Sequence, residues 1–470
     1  MNLLWQRFTL SHLPLMEWQG ASYLHSLTVG LLRSWRRSSW LMQWADVLAI
    51  LLLSLVFGLA PFVSNALIGL LLFACMGFWV LLTLSDESAT GLTAIHLLVL
   101  LYWGIATVAT ALSPVKTAAL TGLVKLTLYL LLFALSARIL RSPRFRSWLI
   151  TLYLHVALIV SVYGVRQWFF GAKALATWVD PESPLSQTTR VYSYLGNPNL
   201  LAGYLLPAVI FSLMAVFSWS GWLPKLLALT MFFVNTYCFY LTLSRGGWIG
   251  LVVAIFALLV LLMYRWSIYL PPFWRTWSLP MTLGGMSLLL VLAVLFVEPV
   301  RDRVSSMFAG RGDSSNNFRI NVWAAVREMI HDRPVLGIGP GNTAFNKVYP
   351  LYQRPRFTAL SAYSIWLEVA VETGFIGLSC FVWLLIVTLN QGIIQLRRLR
   401  SLENRDIYWL IGAIATLLGM LAHGTVDTVW YRPEVSTLWW LMVALIASYC
   451  TTSTPMRSEQ LLRSSSTTEI

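Results

Sequence analysis

The sequence predicts an all-α polytopic membrane protein of about 10–12 transmembrane helices, with one large extracytoplasmic loop that contains short helices. Three observations carry this. Hydrophobic residues make up 58% of the chain against 11% charged, and the mean hydropathy is +0.70, too apolar for an ordinary soluble protein. Many stretches of about 17–22 residues carry no charge, the length a helix needs to cross about 30 Å of hydrocarbon. Segments near that length favour helices over barrel strands, because in lipid each backbone group must pair within its own segment.

Taken in order, residues 1–43 hold an apolar pattern broken by charges, without a cleavable signal. They read as a cytoplasmic, interfacial segment that lies on the membrane through Trp5, Leu13, Leu15 and Trp18. Expected spans follow at 44–60, 66–84, 92–112, 117–137, 147–168, 199–218, 222–242, 247–264 and 280–297, and after the large loop (298–362) at 365–390, 407–422 and 435–450. Pro61 and the Ser64-Asn65 turn separate the first two, which cross separately or form a hairpin. The Ser/Thr-rich tail 451–470 reads as a disordered cytoplasmic segment.

The formal charge of +14 is not a nucleic-acid signal. Arg33, Arg36 and Arg37, then Arg138, Arg141, Arg144 and Arg146, then Arg397, Arg398, Arg400 and Arg405 recur on alternate loops. That is how loop charge orients a membrane protein. Both termini are then cytoplasmic and the loops 169–198 and 298–362 lie outside, in a multi-pass bacterial inner (plasma) membrane or a thylakoid membrane. Cys75, Cys238, Cys380 and Cys450 fall in apolar spans without CxxC spacing, so neither a disulfide framework nor a zinc site is expected.

The large loop carries nine Lys/Arg against five Asp/Glu. Topology does not demand a basic surplus outside, so it points to an anion. Phe318, Val322, Val326 and Met329 follow helical spacing behind the capping residues Ser314 to Asn317, and Asp332-Arg333-Pro334 ends that helix. Arg319 falls in its first turns, one turn before Trp323.

Each polar constellation has two readings. Arg245, beside Gly246 and Gly247 at a span junction, is either an anion clamp or an interfacial arginine reaching for headgroups. Gly337-x-Gly339-x-Gly341 lacks the Lys-Ser/Thr of a phosphate loop, and Pro340 removes a donor, so a packed turn is the plainer reading. Glu368 and Glu372 share a helical face with Ser364, either for acid/base work or, more simply, for an ion pair with a loop arginine. His423 and Asp427, four apart, are a proton handler oriented by a carboxylate or an interfacial histidine with its needs met. His96 and His155 read as buried packing residues.

Gly196-Asn197-Pro198-Asn199, Ser244-Arg245-Gly246, Arg319 with Trp323, Asp332 to Gly341, and Glu372 to Gly377 occur in an order that resembles the O-antigen ligase and polymerase superfamily over about 190–430. Within it the chain is most similar to the IctB branch, cyanobacterial proteins linked to inorganic-carbon (bicarbonate) accumulation. The resemblance implies a glycan moved from undecaprenyl diphosphate to an acceptor without a metal or other cofactor, in contact with membrane lipid. The family's diphosphate arginines fall on Arg245 and Arg319. Asn199, Ser364, Glu368, Glu372, His423 and Asp427 are candidates for a supporting role. Its catalytic histidine falls on Tyr363, followed by Ser364, nine residues, Gly374 and Gly377. Imidazole titrates near pH 6.5 and a phenol near about 10, so Tyr363 can orient or donate but is a poor base. Three functions stand beside one another: bicarbonate accumulation, glycan transfer, and a non-catalytic scaffold.

Overall fold

The computed structural model describes residues 3–13, 15, 18, 22–23, 29–86, 91–171, 190–308, 310–401 and 404–450. The expected tail 451–470, and most of the loop 169–198, lie outside the described residues. Among the described residues every regular element is helical. The short helices α1 (Leu3–Phe8), α2 (Arg33–Ser38) and α3 (Trp40–Gln43) lead into α4 (Ala45–Leu59), α5 (Asn65–Ser85), α6 (Ala94–Ala111), α7 (Lys116–Ile139) and α8 (Pro143–Phe170). Then come α9 (Pro198–Ser218), α10 (Trp222–Leu241), α11 (Arg245–Trp266) and α12 (Pro272–Phe296). The large loop holds α13 (Glu298–Phe308), α14 (Ser314–Asp332) and α15 (Asn342–Val348), and the chain closes with α16 (Ile365–Leu399), α17 (Ile407–Gly424) and α18 (Pro433–Ser448).

Each of the twelve expected spans falls on a helix. Nine helices among the described residues (α5 to α9, α11, α12, α16 and α17) are long and apolar enough to cross a membrane, while α4 and α18 are shorter apolar helices. The protein is a multi-pass membrane protein.

The centre of the bundle is α9, α17 and α18: α9 and α17 each have 83% of their apolar stretch buried, and every residue of α18 after Pro433 is buried. Close approach there depends on small residues, as expected where lipid removes the hydrophobic drive between helices. A Cβ on Gly250 of α11 would lie 2.7 Å from the Gly419 carbonyl oxygen of α17. Polar side chains add specificity: Ser161 of α8 donates to Asn235 of α10 at 2.8 Å, and Asn235 donates to Ser212 of α9 at 3.1 Å. At the bundle end where α5 and α7 finish and α17 begins, Asp86 pairs with Arg138 (3.0 Å) and Arg36 (3.5 Å), and Asp406 with Arg146. Near the N-terminus, Trp5 donates to Asn390 at 3.1 Å and Trp383 to the Phe8 carbonyl at 2.7 Å, which seats α1 on α16. Trp5 and Trp18 are exposed.

The large loop is a small module with its own core. Val322, Ala325, Val326 and Met329 of α14 are buried against Ile338, Phe345, Tyr349, Ala362, Ala370 and Val371. The expected helix is therefore present, but Asp313 caps it, accepting from the Asn316 N–H at 2.9 Å, rather than the Ser314 to Asn317 run.

One break organises the module's attachment. Within α16, Gly374 has φ 67° and ψ −172°, which interrupts the helix. A break strands carbonyls that would have accepted within the helix. The Gly337–Gly341 turn supplies the donors: Ile338 N–H to Val371 O and Gly339 N–H to Glu372 O, both 2.9 Å, while Phe375 N–H reaches back to Pro334 O at 2.7 Å. The turn also presses on α7, where a Cβ on Gly122 would sit 1.8 Å from the Pro340 oxygen. Its N–H groups are thus engaged in packing, as the plainer reading expected, and form no phosphate cradle.

His155 is exposed on α8 with Nδ1 facing the Thr151 carbonyl at 2.8 Å, so the expectation of a buried packing residue is wrong there. His96 is half-buried, and its Nδ1 bonds to Thr93 at 2.8 Å, where it caps α6 rather than merely filling space. Both corrections have one cause: apolar neighbours in sequence do not say which face of a helix a residue occupies.

Candidate functional site

Four chain segments bring polar groups together at the loop-module end of the bundle. At the start of α9, Asn197 caps the helix by accepting from the Asn199 N–H at 2.8 Å, and Pro198 sits at the first helical position. That leaves the Asn199 side chain to donate to Asp427 Oδ2 at 2.7 Å and to accept from Arg190 Nη2 at 3.1 Å. Arg190 is held in turn by the Thr242 carbonyl at 3.0 Å.

At the start of α11, Ser244 caps the helix by accepting from the Gly247 N–H at 3.2 Å. Gly246 and Gly247 let this end approach α17 and α9: a Cβ on Gly246 would lie 2.9 Å from His423 Cδ2, and one on Gly247 2.8 Å from Ala202 Cβ. Arg245 then projects to Asp313, with Nη2 to Oδ1 at 2.8 Å. From α14, Arg319 donates to Ser315 at 2.7 Å and faces Asp427 Oδ2 at 3.7 Å. Asp427 is buried, so this aspartate joins the loop module to α9 and α17.

Asp313 lies in the field of both arginines. Burial alone would raise its carboxyl, but the Arg245 hydrogen bond, the Asn316 N–H and the charges of Arg245 and Arg319 outweigh that and hold it below the usual carboxylate range. Two guanidiniums (Arg245, Arg319) thus face two carboxylates (Asp313, Asp427), with Arg190 held beside them by Asn199 and the Thr242 carbonyl.

Tyr363 stands beside this group. Its φ of 50° is left-handed, a costly conformation for a bulky residue. Its ring meets Phe318 edge-on at 5.3 Å. Burial pushes its phenol above the ordinary range, Asp427, Tyr431 and Glu368 push the same way, and Arg319 opposes them. The phenol is therefore a neutral hydrogen-bond donor, not a base. Backbone strain at Tyr363 is held by its neighbours: Glu368 Oε2 accepts from the Ala362 N–H at 2.5 Å and sits 3.5 Å from Thr428 Oγ1.

Among the described residues, Glu368 and Glu372 pair with no loop arginine. Glu372 Oε1 accepts from the Gly341 N–H at 2.7 Å, so both carboxylates anchor backbone of the loop module. The expected ion pair fails because the α16 break and the strained 361–364 segment leave backbone donors nearer than any guanidinium. Nor does Asp427 orient His423: its Oδ2 is engaged by Asn199 and Arg319. His423 is 1% exposed, and neither ring nitrogen has a hydrogen-bond partner. Ser364, also buried, precedes α16 without a side-chain cap. Among the described residues no three His, Cys, Asp or Glu side chains gather as metal ligands would.

Arg190, Asp313 and Thr428 were not foreseen, and Ser315 was read only as part of a capping run. Asp313 alone left a trace in sequence, an aspartate one residue ahead of a helical pattern.

Residues 226–382 match the family described as O-Antigen ligase. The chain carries an O-antigen ligase domain. The match runs from α10 into α16 and so takes in Arg245, Asp313, Arg319, Tyr363, Glu368 and Glu372. Arg190, Asn199, His423 and Asp427 lie outside it, on the elements that close the site from the bundle side. No curated protein matches the chain.

Proposed function

We propose that this protein binds the diphosphate of a lipid-linked saccharide at its extracytoplasmic face and takes part in moving that saccharide to an acceptor. The observation that carries the reading is the meeting of Arg245 and Arg319 around Asp313 within the stretch that matches the O-antigen ligase family. Planar guanidiniums bind phosphate oxygens in pairs, and they stabilise the charge that builds on a diphosphate as it leaves. Tyr363 supplies a neutral hydroxyl beside them, suited to orienting an acceptor. In the step itself the acceptor oxygen bonds to the anomeric carbon, the bond from that carbon to the diphosphate breaks, and the acceptor proton leaves to solvent or to the departing phosphate.

A second reading, an IctB-type role in bicarbonate accumulation, is favoured by one feature. Arginines beside a phenol, Tyr363, where the resemblance expects a histidine suit a small anion as well as they suit catalysis.

Two measurements on one preparation separate the readings. Purified protein in nanodiscs is expected to retain undecaprenyl diphosphate in native mass spectrometry, and Arg245→Ala to lose it. Bicarbonate uptake into sealed proteoliposomes that Arg245→Ala abolishes would move the assignment to the second reading. Neither result with wild-type protein would leave a scaffold role and overturn both.

A further inference from the structure

Resting on the reading that Arg245 and Arg319 hold the ligand's anionic group, we propose that Asp313 is the internal counter-anion of this site and sets which anions it accepts: an incoming ligand binds by taking the Asp313 carboxylate's place on Arg245.

The geometry separates the two aspartates. Asp427 is part of the frame, just beyond the end of α17, with its Oδ2 fixed by Asn199 of α9 at 2.7 Å. Asp313 belongs to the loop module and lies one residue before α14. Its Oδ1 accepts both from Arg245 at 2.8 Å and from the Asn316 N–H at 2.9 Å. A carboxylate and a phosphate offer a guanidinium the same kind of acceptor edge, so Asp313 occupies on Arg245 the position a ligand oxygen needs. Because the same oxygen also caps α14, Arg245 can turn from it to a ligand oxygen while the cap stays in place, and exchange requires no unfolding of the helix.

The consequence is selection by charge. With Asp313 in place the arginines are largely neutralised, and an anion gains only the difference between its own attraction and that of the resident carboxylate. A monoanion exchanges one charge for one. A diphosphate brings more charge and several oxygens, reaches Arg319 as well, and wins the exchange. Asp313 thus acts as a specificity-determining residue that discriminates against small singly charged anions.

The test uses full-length protein in nanodiscs with inorganic pyrophosphate and bicarbonate as probes. Asp313→Asn removes the charge but keeps a side chain that caps helices as well as aspartate does. It is expected to bind pyrophosphate about 10-fold more tightly and to gain measurable bicarbonate binding. Asp313→Ser, also a capping residue, serves if the asparagine variant melts early. Unchanged or weaker pyrophosphate binding in both variants, with Arg245→Ala and Arg319→Ala defective, would overturn the counter-anion role and leave the anion site standing. Pyrophosphate binding in Arg245→Ala and Arg319→Ala equal to wild type would instead bring down the underlying reading, whatever Asp313→Asn does.

Discussion

The Glu372 carboxylate accepts a hydrogen bond from the backbone N–H of Gly341 at 2.7 Å, tying α16 to a turn thirty-one residues earlier in the chain. With that contact the loop module is fixed against the bundle, and through the module so is Arg319. Glu372→Gln keeps an acceptor oxygen and is expected to be nearly neutral. Glu372→Ala leaves a half-buried N–H without that partner and should cost about 1 kcal/mol. Reversible unfolding in mixed micelles checks both, and an alanine variant as stable as wild type would deny the contact its role.

Gly374 tests the break in α16. At φ 67° a Cβ there would lie 2.1 Å from the Val335 carbonyl oxygen, which is backbone and cannot swing aside. Gly374→Ala is expected to lose at least about 2 kcal/mol, from the clash and the left-handed backbone together. Gly69 of α5 has nothing within 4 Å of its ideal Cβ, so Gly69→Ala should fall within about 0.5 kcal/mol of wild type. Equal melting temperatures for the two variants would contradict the geometry.

Tyr363 gives a pH prediction. Its phenol is raised by burial and by nearby acids, so the folded state favours the neutral form and no phenolate should form at Tyr363 below about pH 10. Subtracting the ultraviolet titration of Tyr363→Phe from that of wild type isolates this group. Tyr363→His restores a group that titrates near neutrality. Under the transfer reading it should leave glycan transfer unharmed or raise it, and abolished transfer would count against the site retaining chemistry that imidazole can serve.

For Asp313 the sign runs the other way. Its folded pKa is lowered against the outward pull of burial. Its stabilising share is therefore present above the ordinary carboxylate value of about 3.9 and disappears as pH falls through the lower, folded value. The melting difference between wild type and Asp313→Asn should be constant from pH 7 to about 5 and should shrink below about pH 4. A difference that persists at the acid end would mean the pair with Arg245 is not what the charge supports.

Much of the fold could be read from sequence because each span announces itself locally. Length without charge is enough to locate α5, α6, α8 and α9, and amphipathic spacing is enough for α14. The break at Gly374 was hidden for the opposite reason: apolar residues run on either side of it, so the pattern reads as one continuous span. The site divides in the same way. Arg245 and Arg319 stood out as charges in costly places. The partners Asp313 and Asp427 are set by tertiary contacts across 68 and 108 residues, which no local pattern encodes. Glu368 and Glu372 were seen as a pair on one face, yet their partners are backbone N–H groups, which carry no signature in a side-chain sequence.

In α12 none of the apolar stretch is buried, whereas the other end of the loop module meets α7 and α16 through the close backbone contacts at Gly122 and Gly374. The module therefore has one sewn edge and one loose one. Extra residues spliced in just after Phe296 only lengthen a tether, and the arginines keep their places. A single residue added between Pro334 and Gly341 shifts every stitch on the sewn side, which makes that short stretch the ruler by which the whole site is measured.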